Sequence, residues 1–285
     1  MVLLHGLGCT WRTWSPVLPA LTMERDVLAL DLPGFGSSAR LPLGVLPTVP
    51  ALADAVEREL DAAGLAAAHL VGSSVGGWIA LELARRRRAT SVVAISPAGA
   101  GSFEERATLL ASAVRAYAAA KAIAPIAPML PGVVALATFI FSEAHSRPWR
   151  VRPEDAVHAV LALAGSVAFL ETLEWTVGRC EAEGLGDVRC PVLLAWGSED
   201  RVLAPSQAAQ FAAAIPHAEL RLLPGLGHIP MPDDPALVAR TILEFTRRHA
   251  PPGEARQRSG AQFPRRPNRR RGGASPQDDG PPAQG

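Results

Sequence analysis

Residues 70–77 read Leu70-Val71-Gly72-Ser73-Ser74-Val75-Gly76-Gly77 and join a short apolar run to a helical pattern. Within them Gly72-Ser73-Ser74-Val75-Gly76 has the form G-x-S-x-G, centred on Ser74. A serine at a sharp strand-to-helix turn is held in strained backbone geometry with its hydroxyl exposed, and flanking glycines remove the Cβ atoms that would collide as the two elements close. The helix starting at Val75 points its unbonded N–H groups and the positive end of its dipole at the same place, where a negative oxygen is stabilised. The form also arises by chance, so the rest of the chain decides whether Ser74 does chemistry.

Outward from this turn, short apolar runs at 2–5, 27–31, 69–72, 91–95, 191–196 and 219–223 read as strands, and patterns over 48–64, 75–87, 205–215 and 235–249 read as helices. In the first of these helices Leu52, Val56 and Leu60 share one face, with Thr48 as N-cap and Gly64 as C-terminal stop. The alternation predicts an α/β protein with a mainly parallel sheet flanked by helices. Residues 100–187 interrupt it, being Ala-rich, helical in pattern and punctuated by Pro. They read as an inserted helical subdomain, which leaves 1–99 and 188–250 as the core. Within the insert, 122–141 is a run of 20 residues without a charge, long enough to span a membrane. Pro125, Pro128 and Pro131 break any continuous helix there, so a buried or pocket-lining segment is expected and no membrane contact.

With 285 residues, 48% of them apolar, the chain has material for one large core or two modest ones, and collagen-like, coiled-coil and disulfide-scaffold readings are excluded. The net charge of +1 hides an asymmetry: from Pro251 onward seven Arg face three acids, which puts +4 in the tail and −3 in residues 1–250. A mildly acidic body offers no clustered basic face, so no nucleic acid is expected to bind the core. The tail, 251–285, is basic, rich in Pro and Gly and poor in large apolar residues; it is expected to be disordered and to carry no chemistry. Cys9, Cys180 and Cys190 form neither a C-x-x-C pair nor a cluster at metal-ligand spacing, which fits a reduced, cytoplasmic setting with no metal. The opening MVLLHGLG has no basic segment and too short an apolar run for a signal peptide.

A serine hydroxyl needs a base within hydrogen-bond reach, and the base needs a carboxylate to orient it. Of seven histidines, His69 begins a strand, His249 ends the last helix, His145 and His158 lie in the insert, and His217 sits in a turn before a strand. His228 follows a strand on the loop Pro224-Gly225-Leu226-Gly227-His228-Ile229-Pro230, where the C-terminal edge of a parallel sheet presents ligand-binding side chains. Trp196-Gly197-Ser198-Glu199-Asp200-Arg201 follows another strand and offers Glu199 and Asp200 as the acid. Near the start, His5-Gly6-Leu7-Gly8 is a glycine-rich turn after a strand, able to bring the Leu7 N–H to a substrate oxygen beside that of Val75. His5, at the strand end, is expected to stabilise the turn.

Taken in order, His5-Gly6-Leu7-Gly8, Asp31-Leu32-Pro33-Gly34-Phe35-Gly36-Ser37-Ser38, the Ser74 turn, Trp196 to Asp200 and Gly225-Leu226-Gly227-His228 resemble an α/β-hydrolase fold protein with an inserted helical cap. The resemblance covers most of residues 1–250. It implies Ser74 as nucleophile, Asp200 in preference to Glu199 as acid, His228 as base, Leu7 and Val75 as oxyanion-hole donors, and Asp31 as a residue that shapes a turn. It implies no cofactor. Members usually carry two strands before the one ending in His-Gly, and this chain begins on that strand. The run 27–31 is then expected at a sheet edge, and either a reading frame starting upstream or a truncated form is expected.

The resemblance implies a serine hydrolase acting on a small or medium carboxylic ester or related acyl compound, with an apolar, small-molecule substrate. Within the fold, a C–C bond hydrolase or a cofactor-free haloperoxidase is an alternative, and a non-catalytic ligand-binding protein is another. Dehalogenases and epoxide hydrolases of the family place Asp where this chain has Ser74. Oligomeric state has no signature in the sequence.

Overall fold

The computed structural model describes residues 1–129, 142–178 and 182–251. Part of the uncharged run 122–141, Cys180 and the tail beyond Pro251 lie outside the described residues. Six strands form one sheet: β1 (Val2–Leu4), β2 (Leu28–Leu30), β3 (Ala68–Ser73), β4 (Ala89–Ile95), β5 (Val192–Gly197) and β6 (Glu219–Leu223). Their order is β2-β1-β3-β4-β5-β6, and every neighbouring pair is parallel. The strand expected at the edge, β2, is at the edge.

The sheet is apolar on both faces because successive residues of a strand point to opposite sides. Val2 and Leu4 of β1, Leu70 of β3 and Val92 of β4 belong to one buried cluster; Leu3, Val71 and Val93 belong to the other. The first cluster is completed by α2 (Val49–Ala62) and α3 (Val75–Arg85), through Leu52, Val56, Leu60, Ile79 and Leu83. The second is closed by α1 (Leu18–Thr22) and the last helix, α8 (Pro235–Arg248), through Leu21, Val238, Ile242 and Phe245. Helix α2 begins where its sequence says it should: Thr48 Oγ1 accepts from Ala51 N at 3.2 Å, and Gly64 takes φ +71° just past its end.

Between β4 and β5 the chain forms α4 (Phe103–Ile123), α5 (Pro153–Gly165) and α6 (Phe169–Gly178). Ser102 and Glu105 close a capping box on α4, with Ser102 N donating to Glu105 Oε2 at 2.6 Å and Glu105 N donating to Ser102 Oγ at 3.2 Å. The insert joins the first cluster through Ala120, Val160, Leu163, Phe169 and Leu173, and Tyr117 of α4 stacks on Phe169 of α6 at 4.6 Å. No single helix among the described residues is long and apolar enough to cross a membrane.

The pattern over 205–215 begins as a 3-10 turn, Pro205–Gln207, before the short helix α7 (Ala208–Ala214). Two elements have no counterpart among the expected ones: α1 and a 3-10 turn at Trp11–Trp14. Both are too short to develop a helical period.

Candidate active site

The chain runs from β1 outward to β2 and then returns to β3 on the other side of β1, so the sheet's order reverses between β1 and β3. In open parallel sheets the crevice at such a reversal, beyond the C-terminal strand ends, is where ligands sit. Leu7 follows β1 and Ser74 follows β3 at this crevice.

Ser74 has φ 56° and ψ −121°, a conformation an L residue adopts at a cost of about 1–3 kcal/mol. Its neighbours hold it there. Ser74 N donates to Ile95 O at 2.9 Å, and Ser74 O accepts from Gly77 N at 2.9 Å, Trp78 N at 3.2 Å and Ala98 N at 3.1 Å. A Cβ at Gly76 would run into the carbonyl oxygens of Leu4 and His5, and one at Gly72 into the Gly76 backbone. The glycines therefore let β3, α3 and the end of β1 meet, and the serine between them is turned outward.

Asp200, on the loop after β5, is brought to His228, on the loop after β6: His228 Nδ1 lies 2.8 Å from Asp200 Oδ2, and the aspartate side chain is fully buried. Asp200 Oδ1 accepts from Val202 N at 2.9 Å and Leu203 N at 2.8 Å. Burial pushes this carboxyl up, but the His228 charge and the hydrogen bonds from His228 and Leu203 outweigh it, so its pKa lies below the ordinary carboxylate range. An ionised carboxylate only accepts, so Nδ1 of His228 carries a proton, and in the neutral ring Nε2 is the nitrogen with the lone pair. Glu199, the alternative acid, is exposed.

Ser74, His228, Leu7 and Val75 line one cavity of about 150 Å³. Val75 opens α3, so its N–H has no partner within the helix. Leu109, Ala113 and Ala116 of α4, Leu163 of α5 and Phe169 and Leu173 of α6 form much of the remaining wall, with Val202 and Leu203 below. The cavity is thus a mainly apolar chamber, with Ser112, Glu143 and Thr176 joining Ser74 and His228 as its polar lining.

His5 is fully buried and lies outside that cluster: its Nε2 accepts from Leu32 N at 2.9 Å, so Nδ1 is the donor to Gly6 O at 2.8 Å. The ring ties the ends of β1 and β2 together. Asp31 shapes its turn by accepting from Trp11 N at 2.8 Å and Ser37 N at 3.0 Å. Among the described residues no group of three or more His, Cys, Asp or Glu could hold a metal ion.

Asp233 did not emerge from the sequence, although it is fully buried and bonded to the His228 loop through Gly227 N at 2.9 Å. In Pro232-Asp233-Asp234-Pro235 either acid reads as the N-cap of the last helix, and Asp234 is the one that caps, accepting from Leu237 N at 3.0 Å. Nothing in the sequence distinguishes its neighbour.

The fold and the arrangement at its strand ends define a hydrolase of the α/β type. The chain belongs to the alpha/beta hydrolase family, whose sequence model matches residues 1–241. It is 33% identical over 202 residues to the epoxide hydrolase EphH of Mycobacterium tuberculosis, covering 68% of this chain and 92% of that protein. It is 32% identical over 257 residues to the dihydrolipoyllysine-residue acetyltransferase component of the acetoin cleaving system of Pseudomonas putida; that match covers 87% of this chain and spans only 64% of the relative's length. A thermophilic esterase from Thermogutta terrifontis superposes with a TM-score of 0.68 at 24% identity, over 87% of this chain and 89% of that one, a likeness of fold.

Proposed function

We propose that the chain is a serine hydrolase that cleaves a small or medium carboxylic ester or related acyl compound through an acyl-enzyme on Ser74. The observation that carries this reading is the shared cavity: a serine turned outward at φ 56° and an imidazole whose Nδ1 is fixed on Asp200 open onto the same chamber. In this mechanism Ser74 Oγ bonds to the substrate carbonyl carbon as its proton passes to His228 Nε2. The negative oxygen is stabilised by the N–H groups of Leu7 and Val75, each worth on the order of 3 kcal/mol in such sites. Collapse expels the alcohol, which takes the proton from His228. A water molecule then loses its proton to the same nitrogen and releases the acid.

The helical insert acts as the cap in this reading, since α4, α5 and α6 supply much of the chamber wall, and the apolar lining supports an apolar acyl group. The family relative named as an epoxide hydrolase favours a second reading, epoxide opening. Chemistry at Ser74 disfavours it: a serine that opened an epoxide would form an ether, which has no carbonyl for water to attack. The free thiols of Cys9 and Cys190 support a reducing compartment such as the cytoplasm.

A fluorophosphonate probe and a panel of short and medium acyl esters test the proposal. The wild-type protein is expected to be labelled and to turn over at least one ester, and Ser74→Ala to do neither. Equal labelling of the two proteins sinks the assignment, and ligand-induced stabilisation without turnover would make the chain a binding protein.

A further inference from the structure

The segment 144–150, the part of the insert that leads into α5, is seated on the loop that carries His228. Ile229 N donates to Ala144 O at 2.8 Å, and His145 Nδ1 donates to Ile229 O at 3.1 Å. A Cβ on Gly227 would stand 2.7 Å from Ser146 N and 2.9 Å from Ala144 O, so the two backbones touch at the residue before the imidazole. Beneath this contact lies Asp233. Its Oδ2 accepts from Gly227 N at 2.9 Å and from Ser146 N at 3.1 Å, and its Oδ1 accepts from Arg147 N at 3.1 Å. Ser146 Oγ sits 2.7 Å from Gly225 O and 2.8 Å from Asp233 Oδ2, donating to one at a time. The backbone carbonyl of Asp233 accepts from Arg150 Nη1 at 2.8 Å.

We infer that Asp233 is a positioning residue for His228, a latch by which the helical insert and the loop bearing the imidazole hold one another in register; the inference rests on the hydrolase reading of that loop. Three backbone N–H groups, that of Gly227 in the His228 loop and those of Ser146 and Arg147 in the insert, converge on one buried carboxylate. Asp234 caps the N-terminus of α8 and lies 3.9 Å from Arg147 Nη1, while the insert's backbone N–H groups fall to Asp233. His228 is gripped on both sides, through Gly227 by Asp233 and through Ile229 by residues 144 and 145. A displacement of the insert is therefore passed to the imidazole, and the substrate chamber and the base are set together.

The test is Asp233→Asn, in which one acceptor oxygen becomes an NH2 group facing N–H donors. Hydrogen exchange is followed by mass spectrometry, and steady-state ester hydrolysis is normalised to the fluorophosphonate-titratable fraction. The expected result is faster exchange in 144–150 and 225–230 together, with β3 and α2 unchanged. A fall in kcat on the order of 100-fold accompanies it, as small misplacements of a reacting group produce, with KM within about threefold of wild type. A purely structural role would lower the melting temperature and the titratable fraction but leave kcat per active site intact. A folded variant with kcat unchanged, or one in which 144–150 loosens while 225–230 stays protected, overturns the inference. Should Asp233→Asn fail to fold, Ser146→Ala removes only the bridging hydroxyl, and a smaller fall in kcat at constant KM supports the latch where an unchanged kcat refutes it. If the wild type neither reacts with the probe nor hydrolyses any ester, the hydrolase reading falls, while joint or separate loosening of the two segments still decides whether the latch exists.

Discussion

His228 Nδ1 and Asp200 Oδ2 stand 2.8 Å apart with both side chains withdrawn from solvent, so the carboxylate dictates which nitrogen of the ring faces the cavity. Asp200→Asn keeps the size of the side chain but offers an amide that stabilises the other tautomer. The expected outcome is a fall in kcat on the order of 10⁴-fold on the best ester, as for other serine hydrolases so altered, with the circular dichroism spectrum unchanged. A loss of less than about tenfold would remove Asp200 from the mechanism.

Gly76 and Gly165 should respond to alanine in opposite directions. At Gly76 the added Cβ meets the Leu4 and His5 carbonyl oxygens, both backbone atoms of a buried strand end, whereas at Gly165, the last residue of α5, it meets nothing within 4 Å. Gly76→Ala is expected to destabilise by more than about 3 kcal/mol or to prevent folding, through overpacking. Gly165→Ala should be neutral or stabilise by up to about 1 kcal/mol through reduced backbone entropy. Chemical denaturation measures both.

Burial lowers the pKa of His5, against the opposing pull of the Gly6 carbonyl and the Asp31 charge. The folded state thus favours the neutral ring, whose Nε2 must stay unprotonated to accept from Leu32 N. The unfolded chain binds a proton near the ordinary value of about 6.5, so this stability is fully present above that pH and is lost as the pH falls below it. Melting temperature should therefore decline between about pH 7.5 and about pH 5.5, and His5→Gln should melt lower throughout but with a shallower slope. Some slope will persist in the variant because burial also lowers the pKa of His145. Parallel slopes in the two proteins would exclude His5 as a source.

Ala113 and Ala116 are small apolar residues of α4 that line the chamber. Ala116→Phe is expected to take up space in the chamber and to cut kcat/KM for medium-chain acyl esters by on the order of tenfold relative to acetyl esters, since each methylene excluded from an apolar pocket costs roughly 1–3 kcal/mol. A uniform loss across chain lengths would place the acyl group elsewhere.

Much of the framework was legible because it is written in local signals. The apolar runs mark strands, Thr48 and Gly64 mark the ends of α2, and the glycines around Ser74 mark a close approach of backbones that the structure displays at Gly72 and Gly76. The pairing of His228 with Asp200 was narrowed to two acids, and the loop's own folding settles the geometry: turning through Gly197 sends Asp200 inward, while Glu199 stays in solvent. Asp233 was hidden because its partners, Ser146 and Arg147, are remote in sequence and offer backbone N–H groups, which every residue except proline possesses. The chamber wall was hidden for a similar reason: Leu109, Leu163 and Leu173 are ordinary apolar residues on helices, and only packing decides that they face a void.

The insert divides the chain in time as well as in space. Strand β4 pairs with β5, Val92 opposite Val192, although the whole of α4, α5 and α6 is synthesised between them. A ribosome therefore delivers Ser74 first and delivers Asp200 and His228 only near the end. Until that last portion emerges, the nascent chain carries a half-finished sheet whose β4 margin awaits its neighbour, and the proposed nucleophile has neither its acid nor its base beside it. If Ser74, Asp200 and His228 act as proposed, premature termination before His228 yields an inert product, and completion of the chain is what assembles the reactive centre.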